Sequence, residues 1–143
     1  MIPIKHLFHI NSPVEEVFNA INDIDSLRAW YTTKVEGGNY LSDRITFTYG
    51  QMKMDVQITD LLTNQRIQWT CIEKDSPFEH HVFTFELDSN EEKTRVRFSH
   101  KGFITQDDTY ANLNYSWGKY LESLRQFCQT GKGEAFGSNK YRN

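Results

Sequence analysis

The chain predicts an α+β fold: a curved antiparallel sheet of about six to seven strands, two short helices after the first strand, and one long C-terminal helix lying across the concave face. Three observations carry this. Leu113, Trp117, Tyr120, Leu121, Leu124, Phe127 and Cys128 recur at steps of three and four, the spacing of one helical face. The middle of the chain alternates apolar and polar residues, as half-buried strands do. Short polar turns separate these runs, as in antiparallel hairpins.

The elements follow in order. Ile4, Phe8 and Ile10 alternate with Lys5 and His9 as a first strand; Leu7 breaks the alternation, which predicts cover on both faces there. Ser12-Pro13-Val14-Glu15 reads as an N-cap, a first-turn proline and the acid of a capping box. A short helix then carries Val17, Phe18, Ala20 and Ile21. Asn22-Asp23 interrupts it, and a second carries Leu27, Trp30 and Tyr31. After the Gly37-Gly38 turn come alternating runs at Ile45–Tyr49, Met52–Ile58, Ile67–Cys71, Phe83–Leu87 and Val96–Phe98. Thr63-Asn64-Gln65, Asp75-Ser76-Pro77 and Asp88-Ser89-Asn90-Glu91 are the turns between them. The last helix, from about Asp107 to Thr130, spans about 36 Å at ~1.5 Å per residue. Gly131 stops it as a left-handed C-cap. The polar tail, about 137–143, is expected to fray.

Bulk properties narrow the function. A length of 143 residues fits one domain, 1–143, and 38% hydrophobic with 14% aromatic residues supplies a wide core. The net charge of −3 argues against a nucleic-acid footprint. No apolar run is long enough to span a membrane, and the N-terminus does not read as a signal peptide. The expected location is cytoplasmic, with Cys71 and Cys128 as reduced core thiols.

Several motifs, taken together, resemble the START-like superfamily of helix-grip proteins, also called SRPBCC, in the branch of bacterial homologues of the activator of the heat-shock protein 90 ATPase. Ser12-Pro13-Val14-Glu15-Glu16-Val17-Phe18-Asn19-Ala20 is similar to that family's S-P-x-x-V-[WF]-x-A opening. Leu27-Arg28-Ala29-Trp30-Tyr31 resembles its second helix, and Trp69 its mid-sheet tryptophan. Thr94-Arg95-Val96 through Phe103 resembles its last strand. Trp117-Gly118, Leu121 and Leu124, ending at Gly131-Lys132-Gly133, resemble its closing helix. The resemblance covers nearly the whole chain. It implies that the first strand pairs with the last, and that the helix and sheet enclose a pocket. Members of the superfamily include lipid carriers, polyketide cyclases and co-chaperone domains, so fold alone does not choose among them.

Strand parity nominates the concave face. A hairpin centred on Asn90-Glu91 sets Phe85 opposite Val96, Phe83 opposite Phe98 and His81 opposite His100. The expected pocket lining is Trp30, Tyr49, Met54, Trp69, His81, Phe83, Phe85, Phe98, His100, Leu113, Trp117, Tyr120 and Leu121. Met52 adds adaptable apolar lining. A core filled by these aromatics is the competing reading. His81 or His100 could instead serve as a polar handle at the pocket mouth.

His6 shares the concave parity, but no carboxylate or cysteine with ligand spacing accompanies the three histidines, so no metal and no cofactor is expected. Ser99-His100 and His80-His81 are strand neighbours that point to opposite faces, which excludes a nucleophile–base pair or a chelate from either. No catalytic constellation appears. The function expected is binding of a small hydrophobic or amphipathic ligand: a lipid, an aromatic or a polyketide-like metabolite. The alternatives are a co-chaperone-like protein-interaction module with a chaperone partner, and a cyclase- or hydratase-type enzyme using His81, His100 and Tyr49 as acid or base.

Overall fold

The computed structural model describes residues 2–143. The chain runs β1 (Ile2–Ile10), α1 (Val14–Asn22), α2 (Ile24–Trp30), β2 (Lys34–Gly37), β3 (Arg44–Tyr49), β4 (Met52–Leu62), β5 (Arg66–Cys71), β6 (Val82–Asn90), β7 (Lys93–Phe103) and α3 (Asp108–Thr130). Seven antiparallel strands form one sheet in the order β1-β7-β6-β5-β4-β3-β2. Every neighbour in that order is sequential except β1 against β7, which sets the first strand beside the last. The curved sheet wraps α3 as a helix-grip fold.

The inward parity is the expected one. Phe83, Phe85 and Leu87 of β6, and Val96, Phe98 and His100 of β7, are all buried. The β6–β7 register differs by two residues from the expected one: Phe83 pairs with His100, Phe85 with Phe98 and Leu87 with Val96. The strand continues through the polar Asp88-Ser89-Asn90, and Glu91, at φ 62°, makes the turn. Asp88 holds β6 in register by accepting from Arg95 Nε at 2.9 Å and from Arg97 at 3.0 Å. A two-residue slip preserves the face of every side chain, so the concave assignment survives it.

Other local expectations are corrected. Leu7 is 61% exposed, so β1 is covered on one face only. Pro13 sits at the N-cap of α1 with no side-chain cap; the Ser12 hydroxyl donates to Glu16 Oε2 at 2.7 Å rather than closing a box with Glu15. Phe136 exchanges backbone hydrogen bonds with Tyr31 and Thr33, and Tyr141 stacks on Tyr120.

The long helix begins and ends as its sequence dictates. The Asp107 carboxylate accepts from Tyr110 N–H, and Gly131 closes the last turn at φ 80°. Its stripe buries Trp117, Leu121 and Leu124, and also Ser123. The Ser123 hydroxyl donates to Trp30 C=O at 2.8 Å and accepts from Glu134 N–H at 2.6 Å, tying α3 to both α2 and the tail. The serine therefore satisfies two backbone groups that burial would otherwise leave costly.

Candidate functional site

A cavity of about 160 Å³ lies between the first half of α3 and the sheet, with walls from β3, β4, β6 and β7. Its walls are Tyr31, Tyr49, Met52, Met54, Phe78, Phe83, His100, Leu113, Ser116, Trp117 and Tyr120. Met52 is 48% exposed, and Phe78, Leu113 and Ser116 are partly exposed, so this side of the wall meets solvent.

Of the residues expected to line a pocket, Tyr49, Met54, Phe83, His100, Leu113, Trp117 and Tyr120 do so. The other six do not reach this wall. Trp30 is fully buried behind it and donates its indole N–H to Ala20 C=O at 2.8 Å. Trp69 is packed among Tyr31, Phe47 and Phe85. Phe98 lies under Trp117 with ring centres 4.3 Å apart, Phe85 beside it, and Leu121 is buried a turn further along α3. His81 sits behind His100. Parity selects the concave face, but not how far along each strand the core closes and the cavity begins.

Tyr31, Phe78 and Ser116 are lining residues that the pattern did not nominate. Tyr31 ends α2 and is 2% exposed, its ring stacked on Trp117 at 5.5 Å and meeting Tyr120 edge-on at 4.9 Å. Its hydroxyl accepts from the Tyr49 hydroxyl. A tyrosine rather than phenylalanine at a buried helix end was the available signal. Burial pushes the phenols of Tyr31, Tyr49 and Tyr120 well above their ordinary range, so all three stay protonated.

The two histidines form a directed chain with Trp117. Trp117 Nε1 lies 3.1 Å from His100 Nδ1, and His100 Nε2 lies 2.9 Å from His81 Nδ1. An indole N–H can only donate, so His100 Nδ1 accepts, and the neutral ring carries its proton on Nε2. That proton is donated to His81 Nδ1, which fixes His81 as the Nε2–H tautomer in turn. Burial, with the neighbouring His81 second, pushes His100 down to about 3; burial lowers His81 as well. His100 thus presents ring face and edge to the cavity, with both nitrogens committed.

Gly102 makes room for this pair. At φ 138°, a Cβ there would fall 2.4 Å from His81 Cδ2. His6 does not join them; its Nε2 lies 2.9 Å from Asn114 Oδ1. Among the described residues no three His, Cys, Asp or Glu side chains cluster as a metal site. Cys71 is buried and Cys128 partly so, both as free thiols, with burial pushing the Cys128 thiol up to about 12.

The model of the family described as "Activator of Hsp90 ATPase homolog 1-like protein" matches residues 11–129. The chain belongs to that family. Among solved structures, the Aha1 dimer from Colwellia psychrerythraea is similar over 93% of this chain and 100% of its own, with 27% identity and a TM-score of 0.86. A crystal structure of a protein from Mesorhizobium loti covers 87% and 95% of the respective chains, at 20% identity and a TM-score of 0.77. DynU16, from the dynemicin biosynthetic locus, matches 98% of this chain and 51% of its own, at 15% identity and a TM-score of 0.78. No curated protein matches. The Aha1-like assignment accounts for the helix-grip architecture and for its START-like, SRPBCC-type relatives; such a fold suits a ligand-binding domain in general. Among the described residues of this Aha1-like chain, no helix is long and apolar enough to cross a membrane.

Proposed function

We propose that the chain binds a small, predominantly apolar molecule in the cavity between α3 and the sheet. The observation that carries this is the cavity itself: about 160 Å³, walled by aromatic rings and two methionines, at the contact of the long helix with the sheet. An engineered cavity of about 150 Å³ with apolar walls stays dry and takes up benzene. The volume here therefore suits one aromatic ring or a short branched chain.

Pockets for drug-sized ligands span roughly 300–1,000 Å³. A lipid chain or a multi-ring polyketide would need the partly exposed wall at Met52, Phe78 and Leu113 to swing aside. The long unbranched thioethers of Met52 and Met54 suit such adaptation. His100 has no free ring nitrogen with which to hold or exchange a proton, so the polar contacts of a ligand fall to the tyrosine hydroxyls.

Native mass spectrometry of the protein purified from its own host tests the reading. A stoichiometric small-molecule adduct supports it and identifies the ligand class. A bare mass, with no thermal shift across a panel of apolar metabolites, overturns it. Weight would then pass to the co-chaperone-like alternative that the family's description raises.

A further inference from the structure

The hydroxyls of Tyr31 and Tyr49 offer two hydrogens, and the structure uses one. Tyr49 donates to Tyr31, and the hydrogen on Tyr31 has no acceptor among the described residues. Tyr31 is 2% exposed, so water does not readily serve it from outside. A buried donor left unmade is expensive, and here it sits on the cavity wall.

The rest of the lining sharpens the point. The indole N–H of Trp117 is given to His100, and both nitrogens of His100 are committed. The Tyr120 ring stacks on Tyr141 and is partly exposed, so its hydroxyl lies nearer solvent than that of Tyr31. Ser116 is partly exposed on the helix side, and the remaining walls are apolar. Among the described residues, no lysine, arginine or carboxylate lines the cavity. A charged ligand would enter without a counter-charge, which low-dielectric surroundings penalise heavily.

We propose that Tyr31 selects the ligand: the cavity takes an uncharged, single-ring aromatic molecule bearing one oxygen that accepts the unused Tyr31 hydrogen. This rests on the ligand-binding reading above and narrows it. A phenol-type hydroxyl satisfies the site best. Its oxygen accepts from Tyr31, and its own hydrogen can return to a lone pair of Tyr49, closing a ring of three hydroxyls. The burial of Tyr31 and Tyr49 keeps both as neutral donors, consistent with a neutral guest.

Toluene and phenol are nearly isosteric and separate size from hydrogen bonding. Titrating each, with benzoate as the charged control, into the labelled protein and its Tyr31→Phe and Tyr49→Phe variants tests the proposal by amide chemical shifts. In an apolar cavity without a donor, phenol binds worse than toluene because its hydroxyl is desolvated without return. Here phenol is expected to bind at least as tightly as toluene, and benzoate not to bind. Tyr31→Phe should weaken phenol about tenfold and leave toluene unchanged, the equivalent of one hydrogen bond. Tyr49→Phe, which keeps the Tyr31 hydrogen, should retain phenol binding.

If toluene binds and phenol binds more weakly, or if Tyr31→Phe leaves phenol unaffected, the Tyr31 proposal is overturned while the cavity remains a ligand site. If neither probe perturbs the cavity resonances, the ligand-binding reading fails and the proposal with it.

Discussion

The indole N–H of Trp117 donates to His100 Nδ1 across 3.1 Å, and this single bond between helix and sheet sets the protons on two histidines. Because the donor cannot be reversed, His100 and then His81 are both Nε2–H tautomers at neutral pH. Nitrogen-15 shifts of the two imidazoles check this directly. An Nδ1–H signal from His100 would refute the direction of the chain.

The chain makes stability depend on pH. His100 is pushed from 6.5 down to about 3, and His81 is lowered too, so the unfolded chain takes up protons first. Stability is full above about pH 6.5 and is lost as pH falls from there toward about 3, where folded His100 also charges. The expected slope from His100 is about 1.4 kcal/mol per pH unit, with His81 adding in the same direction. Asp88, held low by Arg95 and Arg97, and Glu122, held low by Arg125, act in the same direction at lower pH. Urea unfolding between about pH 6 and 4.5 therefore isolates the histidines. His100→Gln should remove the larger part of this slope. A flat stability over that interval in the unsubstituted protein would contradict the account.

Trp117 has two separable roles, packing and donation. Trp117→Ala should cost about 3–5 kcal/mol, because the ring packs on Phe98 and Tyr31. Trp117→Phe keeps part of the packing but leaves His100 Nδ1 without a donor, and should cost about 1–3 kcal/mol. Denaturation midpoints measure both. Equal losses from the two variants would mean that packing contributes little beyond the hydrogen bond.

Gly102→Ala places a methyl group against His81, which is held from the other side by His100. With a positive φ added to the crowding, destabilisation of about 1–3 kcal/mol is expected by thermal or urea unfolding. A neutral substitution would show that the His81 ring is free to withdraw.

Leu113 faces the cavity from α3 and is partly exposed. Leu113→Phe should fill space, raise stability by about 0.5–1 kcal/mol, and abolish uptake of toluene or phenol. A variant that gains stability yet binds these probes normally would place the binding elsewhere.

The faces of this fold were legible in the sequence because alternation in strands and the three-to-four spacing in α3 report burial residue by residue. Register along β6 and β7 was not. Asp88-Ser89-Asn90 has turn chemistry, yet Asp88 is drawn into the strand by its bonds to Arg95 and Arg97, and Glu91 turns the chain in a conformation more usual for asparagine or glycine. The cavity was legible where its walls are strand and helix faces, as at Tyr49, Met54, Phe83 and Trp117. It was not where long-range placement decides. Tyr31 meets Tyr49 across 18 residues of sequence, and Phe136 folds back on Tyr31 from the far end of the chain. Trp30 and Trp69 carry the same hydrophobic signal as Trp117 and differ only in depth.

The central claim is that the space between Trp117, Tyr31 and Met54 is a site for a ring-sized guest. A crystal structure of the protein soaked in bromobenzene tests it most directly, since bromine locates the guest by anomalous scattering. The account predicts one bromine peak inside the cavity, bounded by Tyr31, Met54, Phe83 and Trp117, with the sheet and α3 unmoved. No peak there, with Met52 or Leu113 rotated inward to close the space, would contradict it.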